Sequence, residues 1–134
     1  MTNQYAEYIK NVKRNQANKR LRLEQIRQKA WDYARKMADL LYDKYNATGV
    51  YLFGSVLDKG SFNEDSDIDI LVFGLGDKDY FQAVNDLDDL MHSEFGLDLV
   101  CGESCKESVL QLIMERSIKI AKEGRHQEAH QGNR

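Results

Sequence analysis

The chain has 134 residues, of which 42% are hydrophobic, and a formal net charge of -3. This length predicts one domain, and the composition excludes an intrinsically disordered chain. No apolar run approaches the roughly 20 residues of a membrane span, and the first residues lack the apolar segment of a secretory signal. Two cysteines are too few for a disulfide scaffold, so we expect a cytoplasmic protein.

The charge is unevenly distributed along the chain. Residues 1–50 contain 11 basic and 5 acidic residues, whereas residues 51–134 contain 8 and 17. A basic segment of this kind is typical of a solvated helix face, of a surface for an acidic partner, or of nucleic-acid binding. The composition alone leaves these alternatives open, although direct nucleic-acid binding is the least favoured of them.

The hydrophobic pattern predicts helices alternating with short strands. The predicted elements are a helix over 19–45, strands over 50–53 and 67–73, a helix from Asp77 or Asp79 to about Phe95, a strand over 97–101, and a helix to about Gly124. Asn18 is a candidate cap of the first helix, and Ser104 with Glu107 fits a capping box before the last one. Phe81 is expected to face the core.

This order predicts an α+β fold, in which helices cover a small mixed sheet of about three strands. Residues 19–124 form the predicted domain, and residues 125–134 form a polar tail that includes His126 and His130. Residues 1–18 form a basic N-terminal extension, in which the apolar spacing predicts either a short separate helix or a continuation of the first helix.

The segment GSVLDKGSFNEDSDIDILVFG, residues 54–74, is the most informative part of the sequence. Gly54-Ser55 directly follows a predicted strand, and Asp67 and Asp69 enter the next strand on one face. Neighbouring carboxylates repel each other unless a cation lies between them, and Mg²⁺ prefers carboxylate and phosphate oxygens. A glycine-serine turn can offer N–H groups to a phosphate. The third strand adds Asp98 in an otherwise apolar setting.

Together these residues resemble the nucleotidyltransferase superfamily of DNA polymerase β, in particular the minimal nucleotidyltransferase (MNT) antitoxins that accompany HEPN-domain toxins. The resemblance covers residues 30–124. It implies that Gly54 and Ser55 bind the nucleotide and that Asp67, Asp69 and Asp98 are catalytic ligands of two Mg²⁺ ions, with ATP as substrate. Lys59-Gly60 replaces the family's frequent Arg-Gly pair, which makes Lys59 a nucleotide-binding candidate.

The same residues also have simpler interpretations. Asp67 and Asp69 could be a solvated strand end, and Ser55 could be an ordinary helix cap. A calcium loop starting at Asp65 is excluded, because Ile70 stands where such a loop needs glycine. Cys101 and Cys105 lack further metal ligands and are expected to be ordinary thiols.

The resemblance implies transfer of AMP from ATP to a hydroxyl, expected to be a tyrosine, of a HEPN ribonuclease toxin, which would neutralise the toxin in a hetero-oligomer. Two alternatives stay open. The first is transfer to a small molecule, although the chain has no room for the second helical domain that usually holds such acceptors. The second is an antitoxin without catalysis that simply covers its partner.

Overall fold

A computed structural model describes residues 2–122, with side chains from residue 3 onward. The predicted polar tail, its two histidines and the expected helix end at Gly124 lie outside the described residues. The helices and strands are α1 (Thr2–Tyr45), β1 (Gly49–Phe53), β2 (Ile68–Phe73), α2 (Tyr80–Leu90), β3 (Leu97–Cys101), α3 (Glu107–Glu115) and β4 (Ile118–Lys119). Short 3-10 turns follow β1 and β3 and precede α2.

The four strands form one mixed sheet in the order β3-β2-β1-β4. β1 is antiparallel to both β2 and β4, whereas β2 and β3 are parallel and are joined through α2, as a parallel connection requires. The predicted α+β class and mixed sheet are confirmed. The sheet has one strand more than predicted.

The core lies between one face of the sheet and the helices α1 and α2. Alternate residues of each strand point to this face. The buried set comprises Ala30, Ala34, Met37 and Leu41 of α1, Val50, Leu52, Ile68, Ile70 and Val72 of the strands, and Ala83 and Leu87 of α2. The buried residues of α1 therefore form one wall of the core. Within residues 2–122, no helix combines the length and apolarity that crossing a bilayer would need.

α1 is one uninterrupted helix of 44 residues, so the candidate cap at Asn18 is wrong. The segment around Asn15 and Asn18 contains neither glycine nor proline. Asparagine inside a helix costs only a fraction of a kcal/mol, and the flanking Lys, Arg, Gln and Leu residues are good helix formers. Residues 3–22 are exposed, whereas the helix contributes to the core from Ala30 onward.

The last predicted helix is too long, because α3 ends at Glu115. Ile118 and Lys119 pair instead with Leu52 and Tyr51 of β1, and the N–H of Ile120 continues this ladder to the carbonyl of Val50 at 2.8 Å. The segment alternates β-branched and polar residues, which suits a strand. It also satisfies backbone groups at the free edge of β1 that a helix would have left unpaired.

Three local predictions around α2 and α3 are also wrong. α2 ends at Leu90 rather than Phe95, because His92 and Ser93 adopt positive φ angles. Phe81 is 78% exposed and packs edge-on against Tyr80. The N-cap of α3 is Lys106, with no side-chain hydrogen bond, so the capping box at Ser104 does not form. Of the two expected starting residues of this helix, Asp77 and Asp79, the structure has Asp79 at the N-cap position, although its side chain makes no cap hydrogen bond.

Candidate nucleotide and metal site

The residues of the sequence motif lie together at one end of the strands, where β1 ends and where β2 and β3 begin. We call this end of the sheet the site edge. Phe53 is the register partner of Asp69, and Asp69 is the register partner of Asp98. Register partners lie on adjacent strands about 4.8 Å apart and on the same face. Asp69 and Asp98 therefore lie side by side, on the face opposite the buried Ile70 and Val72.

Gly54 follows β1 in a conformation that glycine alone adopts easily, with φ 86° and ψ -159°. A Cβ atom at this position would lie 2.0 Å from Oδ2 of Asp69. The turn after β1 and the Asp69 carboxylate are thus in direct contact. This proximity joins the two halves of the motif, which are separated by a loop of more than ten residues in the sequence.

Asp67 is positioned by a glycine that the sequence analysis missed. The residue lies directly before β2, and the N–H of Ile68 donates to the carbonyl of Gly96 at 2.9 Å. A Cβ atom on Gly96 would lie 2.2 Å from Oδ1 of Asp67. A glycine immediately before a predicted strand is the only signal in the sequence, and it is equally typical of an ordinary turn.

The three carboxylates interact electrostatically. The pKa of Asp69 is raised to about 6, first because the group is partly buried, and second because of the negative charges of Asp98 and Asp67. Asp67 and Asp98 are exposed. Within residues 2–122, none of the three carboxylates forms an ion pair with a basic side chain. Their charge is therefore uncompensated by the described part of the chain.

Ser55 begins the 3-10 turn Ser55–Leu57, whose first N–H groups have no partner within the turn. α1 fixes this turn in place, because Nη1 of Arg27 donates to the carbonyl of Val56 at 2.6 Å. Val56 itself is fully buried. In the sequence, Arg27 is one of the 11 basic residues among residues 1–50. Its position beside the apolar stripe of α1 was the only available indication of a structural contact.

Lys59 lies in the loop that follows this 3-10 turn. It lines a groove against α1 together with Arg20, Glu24, Arg27 and Phe62. Lys59 also contributes, as a minor cause after the hydrogen bond from Arg27, to the lowered pKa of Glu24. Its role as a nucleotide contact stays a prediction. The loop that carries Lys59 is held by its own turns, in which the side chain of Asp58 accepts hydrogen bonds from Gly60 and Ser61.

The residues at the site edge fit a divalent cation by their chemistry. Within the described residues, no three His, Cys, Asp or Glu side chains are already arranged as a metal-binding group. The donor set nevertheless consists of hard carboxylate oxygens, as Mg²⁺ prefers, and repulsion by Asp98 and Asp67 adds to the effect of burial in raising the pKa of Asp69. A cation between Asp67, Asp69 and Asp98 would relieve that repulsion.

With this geometry established, the comparisons with known proteins identify the family. The model of the family described as Polymerase beta, Nucleotidyltransferase matches residues 35–126. This chain belongs to that family. The match begins within the core half of α1 and includes every candidate site residue of the nucleotidyltransferase. A comparison with curated proteins finds no significant match.

Several solved structures share the fold of this nucleotidyltransferase. One is a toxin–antitoxin with AMP-PNP, at 22% identity over 65% of this chain and 72% of that one, with a TM-score of 0.54. Another is a tri-AMPylated Shewanella oneidensis HEPN toxin in complex with MNT antitoxin, at 21% identity over 74% and 77%, with a TM-score of 0.53. A third, described as a minimal nucleotidyltransferase, has 25% identity over 72% and 93%, with a TM-score of 0.52.

Proposed function

We propose that this chain is an antitoxin-type nucleotidyltransferase that transfers AMP from ATP to a hydroxyl, a tyrosine in the simplest case, of a partner HEPN-domain toxin. The observation that carries the proposal is the contact between the turn at Gly54 and the carboxylate of Asp69, with Asp98 beside it on the next strand. The family supplies the reaction class. The similar folds with AMP-PNP and with an AMPylated HEPN toxin support the nucleotide and the partner.

In the proposed reaction, the acceptor oxygen forms a bond to the α-phosphorus of ATP. The bond from that phosphorus to the oxygen bridging the α- and β-phosphates breaks, and pyrophosphate leaves. Gly54 and Ser55 orient the triphosphate through their backbone N–H groups. Asp98 lies beside Asp69 on the neighbouring strand, where it accepts the proton of the attacking hydroxyl.

Asp67, Asp69 and Asp98 would hold the two Mg²⁺ ions. When bound, these ions neutralise phosphate charge and lower the pKa of the attacking hydroxyl. The protein contributes chiefly positioning and charge, as in other phosphoryl-transfer sites. Gly54 and Gly96 serve this positioning, because they leave the room that the carboxylates of Asp69 and Asp67 occupy.

The test uses the purified chain, ATP, Mg²⁺ and a purified HEPN-domain protein, chosen from the neighbouring gene where that gene encodes such a domain. Intact-mass spectrometry is expected to show the HEPN protein gaining one or more AMP units while its ribonuclease activity falls. Asp67→Asn should lower the rate of transfer roughly 100-fold or more, because even the loss of a residue that only supports a metal ligand costs about 10–100-fold.

Asp65→Asn is the matched control, because Asp65 is an exposed loop carboxylate two residues from Asp67. Its rate should stay near that of the unchanged chain. A HEPN protein that is inhibited without any gain of mass would overturn the proposal in favour of an antitoxin that only covers its partner.

A further inference from the structure

The first half of α1 lies outside the domain. We call residues 2–22 the N-terminal arm. From residue 3 onward every side chain of this arm is exposed, and Tyr5 and Tyr8 are 71% and 66% exposed. At 1.5 Å per residue, the arm projects about 30 Å. Neither the sheet nor the other helices use this length, so the reaction proposed above leaves the arm unexplained.

The arm carries an apolar stripe that continues the stripe of the core. Tyr5, Ile9 and Val12 recur at spacings of four and three residues, and the same rhythm leads through positions 16 and 19 to Leu23 and Ile26. Residues at this spacing share one helix face. Leu23 and Ile26 pack against the core. The exposed stripe of the arm therefore faces the side of α1 on which the domain lies.

The contacts of α1 fix where the arm projects. Near its carboxyl end, the hydroxyl of Tyr42 accepts the N–H of Val50 at the beginning of β1. Closer to the N-terminus of α1, Arg27 donates to the carbonyl of Val56, which lies 29 positions later in the sequence and beyond the end of β1. Moving toward the N-terminus of α1 therefore leads from the beginning of β1 to the site edge, and the arm extends past it.

The loop between Gly54 and Asp67 forms the junction between the arm and the site edge. Arg22, the last residue of the arm, pairs with Glu64 of this loop at 2.6 Å. Beyond this junction the arm overhangs the site edge with its apolar stripe turned toward it. A molecule that packs on the stripe would consequently lie at the site edge, and from there it would have to reach the opposite face of the sheet to meet the carboxylates.

The charge and size of the arm indicate what kind of molecule binds to it. Residues 3–22 contain six basic residues and one acidic residue, so two arms would repel each other, whereas an acidic surface would be attracted. An apolar stripe about 30 Å long and about 10 Å wide covers roughly 300 Å², less than the roughly 800 Å² per partner of a stable interface. The occupant must therefore also contact the adjacent site edge.

We propose that the arm is the docking surface for the protein acceptor, which presents an acidic surface with apolar side chains and is thereby held with its hydroxyl at the site edge. This inference rests on the proposed function for the identity of the acceptor as a HEPN-domain protein. It adds a positioning surface that lies outside the nucleotidyltransferase core, because the match to the family model begins only at residue 35.

The test compares two double variants of the full-length chain. Ile9→Gln with Val12→Gln removes two members of the stripe, whereas Asn11→Gln with Asn18→Gln changes the opposite face of the same arm. Glutamine is a good helix former, so circular dichroism should report unchanged helix in both. Calorimetry with the HEPN-domain protein and no ATP measures binding, and intact-mass spectrometry measures AMP transfer separately.

The stripe variant is expected to bind the HEPN-domain protein about 10-fold or more weakly, since two buried aliphatic side chains are lost. Transfer at low partner concentration should fall in parallel and recover as the concentration rises. The control variant should behave like the unchanged chain. Affinity should also fall with added salt, because the basic residues of the arm are exposed.

Each of the other possible results decides against at least one of the two proposals. Equal affinities of both variants would overturn the docking role while leaving the transfer reaction intact. Arm-dependent binding without any gain of mass would support docking and overturn transfer. No binding by the unchanged chain would overturn the HEPN acceptor and the docking role together.

Two further measurements test whether a second copy of the chain or an RNA binds to the arm instead. Sedimentation of the chain alone should show a monomer, and a dimer that the stripe variant abolishes would mean that a second copy occupies the arm. A gel shift with a generic single-stranded RNA should show no arm-dependent binding. An RNA affinity that depends on the arm and exceeds that for the protein would overturn the proposal.

Discussion

Gly54 and Asp69 lie so close together that no other side chain fits at position 54. Gly54→Ala would place its Cβ 2.0 Å from the Asp69 carboxylate and force alanine into a φ of 86°. Backbone strain of this kind costs about 1–3 kcal/mol, and the carboxylate must move as well. We expect urea denaturation to show a fall of at least about 2 kcal/mol in the free energy of unfolding, together with loss of AMP transfer.

Gly60→Ala provides the matched control in the following loop. A Cβ atom there would have Oδ1 of Asp58 as its nearest neighbour, at 3.4 Å, which is close to ordinary contact. Its free energy of unfolding should stay within about 0.5 kcal/mol of the unchanged chain. Equal losses in both variants would contradict the proposed contact between Gly54 and Asp69.

Asp69 makes folding depend on pH. Its pKa rises from 3.8 to about 6 in the folded protein, so folding favours the protonated form. This contribution to stability is complete below pH 3.8 and is lost as the pH rises to about 6. Asparagine cannot ionise, so Asp69→Asn should gain stability over the parent chain across this window. We expect about 1 kcal/mol, because solvent screens a half-buried carboxylate.

Urea denaturation in EDTA at about pH 4 and about pH 7.5 measures this difference. The gain of Asp69→Asn should be small at the lower pH and larger at the higher one, while Asp65→Asn should show no such trend. Added Mg²⁺ should stabilise the parent chain and leave the Asn variant nearly unchanged. A gain that shrinks as the pH rises would contradict the assigned direction.

At the scale of elements, Tyr42 joins α1 to the sheet. Its buried hydroxyl donates to the carbonyl of Ile120 at 2.6 Å and accepts the N–H of Val50 at 3.1 Å. Tyr42→Phe leaves both backbone groups unsatisfied, which costs about 1–3 kcal/mol. Hydrogen exchange should accelerate at the amides of Val50 and Ile120, next to the short strand β4.

Tyr45→Phe is the comparison for this prediction. The hydroxyl of Tyr45 donates to the side chain of Asp86, a group that can bind water instead. Its loss should therefore cost less than that of Tyr42 and leave exchange at Ile120 unchanged. Similar costs for both variants would mean that the backbone bonds of Tyr42 contribute little.

The elements that the sequence predicts correctly are those with a strong local pattern. The stripe of α1 and the strands β1, β2 and β3 follow from hydrophobic spacing, and so does the shared face of Asp69 and Leu71. β4 could not be predicted in the same way. Ile118 and Ile120 fit a helix as well as a strand in the local sequence, and only the free edge of β1 decides between them.

The same distinction between predictable and unpredictable features applies to the candidate site. The residue types of the motif, their positions on strands and the family resemblance make Gly54, Asp67, Asp69 and Asp98 candidates, and the structure brings them to one edge of the sheet. The supporting contacts could not be predicted, because Gly96 and Arg27 meet Asp67 and Val56 only after the chain has folded. A helix residue that contacts a loop 29 positions away leaves no periodic signal.

At the scale of the whole molecule, α1 divides into a half that builds the domain and an arm that does not. Its second half forms a wall of the core, and Arg27 fixes the turn at Val56. Every side chain of residues 3–18 in the arm is exposed. The basic charge of the arm contrasts with an excess of nine acidic residues after residue 50, so positive and negative charge are unevenly distributed over the molecule.

Deletion of residues 2–18 tests this division directly. Because these residues bury no side chain in the core, we expect the melting temperature to change by less than about 3 °C, which corresponds to about 0.5 kcal/mol. Far-UV circular dichroism should lose the helical signal of the deleted segment alone. Met37→Ala, which empties a fully buried position, should cost about 2–5 kcal/mol and shows that the assay detects damage to α1. If the deletion lowered the melting temperature as much as Met37→Ala does, the arm would be part of the folding unit, and its exposed stripe would be covered within the molecule rather than by an acceptor.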